Sequence, residues 1–133
     1  MVELQKEGFE VVVIDNLSNS NREVLDGIAS ITGNKPAFEQ VDLRDREATF
    51  RVFEKYPRIG SIIHFAAFKA VGESVEKPLE YYENNLLSLI HLLKAMDQFR
   101  VVNFLFSSSC TVYGEPDRVP VTEDAPIKNA SSP

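Results

Sequence analysis

The sequence predicts an α/β fold built on a doubly wound parallel sheet, and three observations lead there. Helical and strand patterns alternate along the chain. The strand candidates are short apolar runs, and residues 10–14 (EVVVI) are almost continuously β-branched, the pattern of a strand buried on both faces. Three of these runs end in Asp, Asn or a row of hydroxyls, which a parallel sheet delivers to its carboxyl edge, where ligands bind in open α/β sheets.

Residues 1–7 read as a helix that Gly8 is suited to close. The first strand, 10–14, ends at Asp15 and Asn16, and 17–22 (LSNSNR) is a polar loop. A short helix over 23–31 closes at Thr32, Gly33 and Asn34, and the second strand, 37–41, ends at Asp42 and Leu43. Asp45 is placed to cap a helix over 46–56, in which Phe50, Val52 and Phe53 supply an apolar side and Pro57 forbids continuation. The third strand, 61–67 (SIIHFAA), opens into a loop over 68–74, where small residues let a ligand approach the backbone. Pro78 suits a first helical turn, and over 79–99 the stripe Tyr82, Leu86, Leu89, Ile90, Leu93 and Met96 is expected to pack on the sheet. The fourth strand, 102–106, runs straight into Ser107, Ser108 and Ser109, then Cys110, Thr111 and Tyr113. A proline-punctuated surface segment follows, with Pro120, Pro126 and Pro133.

A chain of 133 residues fits one domain, and its net charge of −6 argues against a nucleic-acid surface. A single cysteine, Cys110, excludes an internal disulfide and suits a reducing compartment. No apolar run approaches the ~20 residues of a membrane span, and the N-terminus lacks a signal peptide's apolar core, so the expected location is the cytoplasm.

Asp15 supports two readings. It is a turn-forming acid, or it is the carboxylate at the end of a βαβ strand that accepts hydrogen bonds from both hydroxyls of a dinucleotide ribose and repels a 2′-phosphate. His64, inside an apolar strand, reads as a core histidine, and His91, mid-helix, reads the same way; no His or Cys pairs with either as a metal site. Asn84 and Asn85 interrupt a core-like face, as cap-region side chains or as groups that reach a ligand. A dinucleotide fold opens with a strand and a G-x-G-x-x-G turn, and all six glycines here lie elsewhere. In the usual strand order 3-2-1-4-5 that first strand is central, so the sheet is expected as two halves with unpaired edges.

Four collinear stretches resemble the UDP-galactose 4-epimerase family of the extended short-chain dehydrogenase/reductase superfamily: VVVIDNLSNS from Val11, VDLRD from Val41, IIHFAAFKAVGESVEKPLEYYENN from Ile62 and NFLFSSSCTVYGEP from Asn103. The resemblance implies a partial NAD-binding Rossmann domain over 1–133, with the substrate domain absent. It implies that Asp15, Asn16, Asn19 and Ser20 hold the adenosine ribose of NAD, and that Asp42 and Leu43 contact the adenine. Phe65, Ala66, Ala67 and Lys69 would line the cofactor, and Asn84 would approach it from the helix. Ser109, Cys110 and Thr111 would face the sugar of UDP-glucose or UDP-galactose, with the Ser109 hydroxyl on the reacting 4-oxygen as the catalytic contribution.

In that family a tyrosine, ionised with the help of the lysine of a Tyr-x-x-x-Lys pair, takes the 4-hydroxyl proton. The sugar is oxidised transiently at C4 by NAD, turns over as the 4-keto form and is reduced on its other face. Ala67 and Cys110 stand where the family commonly has Gly and Ala. The Tyr-x-x-x-Lys pair follows a Ser-Pro like Ser132 and Pro133, and Tyr113 is not that tyrosine, since Asp117 stands where the lysine would be. A nucleotide-sugar 4,6-dehydratase is disfavoured, because Cys110 and Thr111 occupy the place of its acidic pair. Epimerases of other UDP-sugars remain open, and so does an inactive fragment. The resemblance further implies a homodimer in the full-length form. The 133-residue chain itself is expected to bind NAD poorly and to lack epimerase activity.

Overall fold

A computed structural model describes residues 1–114, 116 and 118–127. The elements run α1 (Val2–Lys6), β1 (Val12–Asp15), α2 (Val24–Thr32), β2 (Ala37–Gln40), α3 (Arg46–Lys55), β3 (Ser61–His64), α4 (Val71–Glu76), α5 (Pro78–Phe99) and β4 (Asn103–Phe106), followed by a 3₁₀ turn over Cys110–Tyr113. Local signals set several boundaries as the sequence implies. Asp45 accepts a hydrogen bond from the Ala48 N–H at 2.9 Å and so starts α3. Gly33 takes the left-handed conformation (φ 74°) that closes α2, as only glycine does without steric penalty.

The strands form two separate two-stranded parallel sheets, β1 with β2 and β3 with β4. Val12 lies opposite Ala37 and Asp15 opposite Gln40 in the first; Ser61 lies opposite Asn103 and His64 opposite Phe106 in the second. Each strand is thus paired on one side only among the described residues, and in the usual strand order the unpaired sides of β1 and β3 are the inner edges. Among the described residues neither inner edge carries a ladder partner. This is the split sheet expected from the missing first strand.

One core joins the halves. Phe50 and Phe53 of α3 meet Leu92, Ala95 and Met96 of α5 with Leu43 and Val101, and Ile14 of β1, Ile62 of β3 and Phe104 of β4 pack against them. Phe99 stacks on Phe53 at 5.5 Å and meets Phe50 edge-on at 6.0 Å.

Three expectations are corrected. The strand expected to be buried on both faces is only half-buried along all of β1, because it pairs on one side only. The loop expected over 68–74 contains helix α4. Its six residues lack a side-chain cap and are held instead by α5, where the Tyr81 hydroxyl donates to Glu73 at 2.9 Å. The third correction concerns α5. Apart from Met96 and the half-buried Leu89, the apolar stripe faces outward: Tyr82, Leu86, Ile90 and Leu93 are 41–49% exposed. The buried face is Tyr81, Asn84, Ser88, Leu92, Ala95 and Met96, whose small members let the helix lie close to its neighbours.

Helix α5 ends at Arg100 with φ 57° and ψ 37°, the left-handed conformation that disfavours a residue with a Cβ. Arg100→Gly is therefore expected to stabilise the chain by about 0.5 kcal/mol, relief of strain exceeding glycine's extra unfolded-state entropy. A rise in the urea midpoint at unchanged m-value is the expected reading.

Candidate functional site

The chemistry-bearing residues gather where the strands end. The Val41 N–H donates to the Asp15 carbonyl at 3.2 Å and the Ser107 N–H to the His64 carbonyl at 3.1 Å, so each ladder continues one step past its strand. Asp15 and Asn16 therefore sit beside Asp42, and Phe65 lies beside the serine row.

At the first edge, Asp15 Oδ1 accepts the Leu17 N–H at 2.7 Å and the Ser20 hydroxyl at 2.8 Å. The Asn16 Oδ1 accepts the Ser18 N–H at 3.0 Å, and its Nδ2 donates to Asp42 Oδ2 at 3.3 Å. Such short polar side chains fold the backbone locally into turns. Leu17 holds φ 60°, a conformation seldom adopted outside glycine and asparagine. Both expected readings of Asp15 are thus compatible: one oxygen makes the turn, and no hydrogen bond to Oδ2 is seen among the described residues. Asn19 and Ser20 lie exposed on the same loop.

Asp42 is held from two sides. Its Oδ1 accepts the Arg44 N–H at 2.9 Å, and the Arg44 guanidinium grips the carboxylate, with Nη2 to Oδ2 at 2.7 Å and Nε to Oδ1 at 3.1 Å. The Arg44 side chain, and then its N–H and Asn16, hold the Asp42 carboxyl at a pKa of about 2 against partial desolvation. Leu43 is buried in the core.

A carboxylate whose pKa is depressed by folding stabilises the fold above its unfolded pKa, and that contribution disappears as the carboxyl protonates. The Asp42 contribution is therefore complete above about pH 4 and lost as pH falls through about 2, amounting to about 1 kcal/mol once exposure is discounted. Arg44→Met is expected to remove that part of the acid slope in urea midpoints measured between about pH 2 and 5.

At the second edge, Phe65 (72% exposed), Ala66, Ala67 and Lys69 line an open segment. Asn85 holds that segment in place: its Oδ1 accepts the Phe68 N–H at 2.8 Å and its Nδ2 donates to the Phe68 carbonyl at 3.0 Å. Asn84 is buried and donates its amide to Asn85 Oδ1 at 3.0 Å, so it stands behind this clamp. Ser109 is exposed beyond β4. The side chains of Cys110 and Thr111 lie outside the described residues, as do 115, 117 and 128–133.

His64 is buried in an aromatic cluster with Phe104 and Phe106, whose ring centroids lie 6.2 and 5.9 Å away, and burial pushes its pKa down. It behaves as the core histidine expected. Since the unfolded chain takes up this proton more readily, stability is expected to fall as pH drops below about 6.5, the unfolded value, and His64→Phe is expected to flatten that slope.

The arrangement offers hydroxyl- and amine-accepting carboxylates at one edge and hydroxyls at the other, with the split of the sheet between them. Among the described residues no group of three or more His, Cys, Asp or Glu is placed to hold a metal, and no helix is long and apolar enough to cross a membrane. Arg44 and His91 were not assigned to the site from sequence, and Asn85 was noted only as an amide interrupting a core-like face; Arg44 left a signal as a cation two residues after a strand-end acid.

The family model described as GDP-mannose 4,6 dehydratase matches residues 1–133. A UDP-glucose 4-epimerase of Bacillus subtilis is 51% identical over 126 residues, covering 95% of this chain and 37% of that protein. One from Neisseria meningitidis is 47% identical over 133 residues, covering all of this chain and 39% of that protein. The crystal structure of the Bifidobacterium longum UDP-glucose 4-epimerase in complex with NAD+ and UDP superposes with a TM-score of 0.92 at 44% identity, over 99% of this chain and 39% of that one. The chain thus spans less than two-fifths of the length of these relatives.

Proposed function

We propose that this chain, which belongs to the GDP-mannose 4,6 dehydratase family, carries the adenosine-binding end and the sugar-facing serine edge of an NAD-dependent UDP-glucose 4-epimerase. The observation that carries the reading is the pair of strand-end carboxylates, Asp15 and Asp42, joined through Asn16. An acid at the end of this strand is where a βαβ fold holds a ribose diol.

The residues present fit the two ends of NAD. Asp15 Oδ2 faces no competing donor among the described residues, and the Asn16–Ser20 loop is folded around the carboxylate. Asp42, ionised at neutral pH, suits an adenine amino group, with Leu43 beside it. Phe65, Ala66, Ala67 and Lys69 offer an open surface for the rest of the cofactor, with Asn84 behind them. No glycine-rich turn is present for the pyrophosphate. When bound, NAD supplies a reversible hydride acceptor.

This chain's part in the reaction falls to Ser109, whose hydroxyl would hold the sugar 4-oxygen, with Cys110 and Thr111 against the sugar. The 133 residues contain no Tyr-x-x-x-Lys pair, so the base for the 4-hydroxyl proton is not assigned to a residue of this stretch. The substrates are UDP-glucose and UDP-galactose. In the full-length form we assign a second copy to the exposed α5 stripe of Tyr82, Leu86, Ile90 and Leu93. The single cysteine suits a cytoplasmic setting, and the net charge of −6 speaks against a nucleic-acid partner.

The test is an NMR titration of the purified 133-residue chain with NAD, NADP and AMP, together with a UDP-galactose turnover assay. NAD and AMP are expected to bind weakly and shift the amides of Asp15, Asn16, Asp42 and Leu43, NADP to bind more weakly still, and turnover to be absent. An adenine nucleotide that leaves those amides unmoved would defeat the proposal; turnover by the chain alone would defeat the assignment of the base.

A further inference from the structure

Helix α5 reaches both edges of the site. Near its start Asn85 clamps Phe68, and six residues further, about 9 Å along the axis, His91 Nδ1 lies 2.9 Å from the Leu43 carbonyl. The geometry points to His91 as a positioning residue that fixes the turn formed by Asp42, Leu43 and Arg44, and so sets the adenine end of the site; this rests on the function proposed above.

A backbone carbonyl only accepts, so His91 must carry a proton on Nδ1 to bond it. Among the described residues the other side chain bonded to that carbonyl is the Thr49 hydroxyl at 3.4 Å, and Thr49 makes its shorter bond, 2.8 Å, to the Asp45 carbonyl. Below the turn, the Leu43 side chain is buried in the same cluster as Leu92, the residue next to His91. The turn is thus held to α5 by its side chain and its carbonyl together. With Leu43 fixed at both points, Asp42 and Arg44 on either side are left to meet each other and the Asn16 amide. Loss of the His91 bond frees the carbonyl without touching the packing of Leu92, Ala95 or Met96, so the expected effect is on the orientation of Asp42 and on adenine affinity more than on folding.

Two readouts on the 133-residue chain test this. Without nucleotide, the ¹⁵N imidazole spectrum of His91 is expected to show the Nδ1–H tautomer, whereas an unconstrained histidine favours Nε2–H. His91→Leu is expected to shift the Leu43 and Arg44 amides and to weaken AMP binding by about fivefold, the loss of one ordinary hydrogen bond. His91→Asn, whose amide donates from a similar position, is expected to restore affinity to within about twofold. An Nε2–H tautomer, or equal AMP affinity in His91→Leu and the unaltered chain, would overturn the positioning role. Should His91→Leu not fold, the tautomer and His91→Asn still decide. If the tautomer and amide shifts behave as expected but AMP does not bind at all, it is the proposed function that fails, and the anchoring of the turn stands.

Discussion

Replacing Phe53 with alanine is expected to bring the chain to the edge of unfolding at room temperature. Phe53 is 2% exposed and sits where α3, α5 and both half-sheets meet. Removing a buried aromatic costs about 3–5 kcal/mol, because the cavity cannot fully collapse. A small domain has only about 5–15 kcal/mol in total, and among the described residues no strand is paired on both sides, which puts this chain at the low end. Phe53→Leu, which keeps most of the volume, is expected to remain folded with a lower urea midpoint. Far-UV circular dichroism across a urea titration reads both variants; a native-like transition for Phe53→Ala would show that the core is not shared between the halves.

The second large effect is expected at Asp15. Asp15→Asn keeps an acceptor for the Leu17 N–H and the Ser20 hydroxyl, so the loop is expected to stay in place. What it removes is the negative charge. A charged acceptor contributes about 1.5–3 kcal/mol per hydrogen bond against about 1 for a neutral one. NAD affinity is therefore expected to fall about tenfold, and discrimination against NADP to narrow because the 2′-phosphate is no longer repelled. Chemical-shift titrations of Asp15→Asn and of the unaltered chain with both cofactors measure this. An unchanged ratio of NAD to NADP affinity would remove Asp15 from the ribose site.

Much of the architecture was legible. The cap at Asp45, the closure of α2 at Gly33 and the proline at the start of α5 act within a few residues, so sequence carries them directly. The split of the sheet was legible too, from the absence of a glycine-rich opening and the strand order it implies. The outward stripe of α5 was not, because periodicity counts apolar residues and cannot say which face finds a partner. Asn84, Ser88 and Ala95 face inward since close approach there matters more than hydrophobicity. Helix α4 was hidden for a related reason: it is held by the bond from Tyr81 of α5 to its Glu73 rather than by a cap of its own.

The same division runs through the site. By itself the sequence determined which residues stand at the strand ends, Asp15, Asn16, Asp42, Leu43 and the serines through Ser109, because strand period and turn chemistry are local. Only the tertiary structure decided how they are held: Asp42 between Arg44 and Asn16, Phe68 by Asn85, Leu43 by His91. The Asn16, Asn85 and His91 contacts span 17 to 48 residues of chain. A contact at that separation depends on how the strands and α5 pack, and no local pattern of residues encodes it.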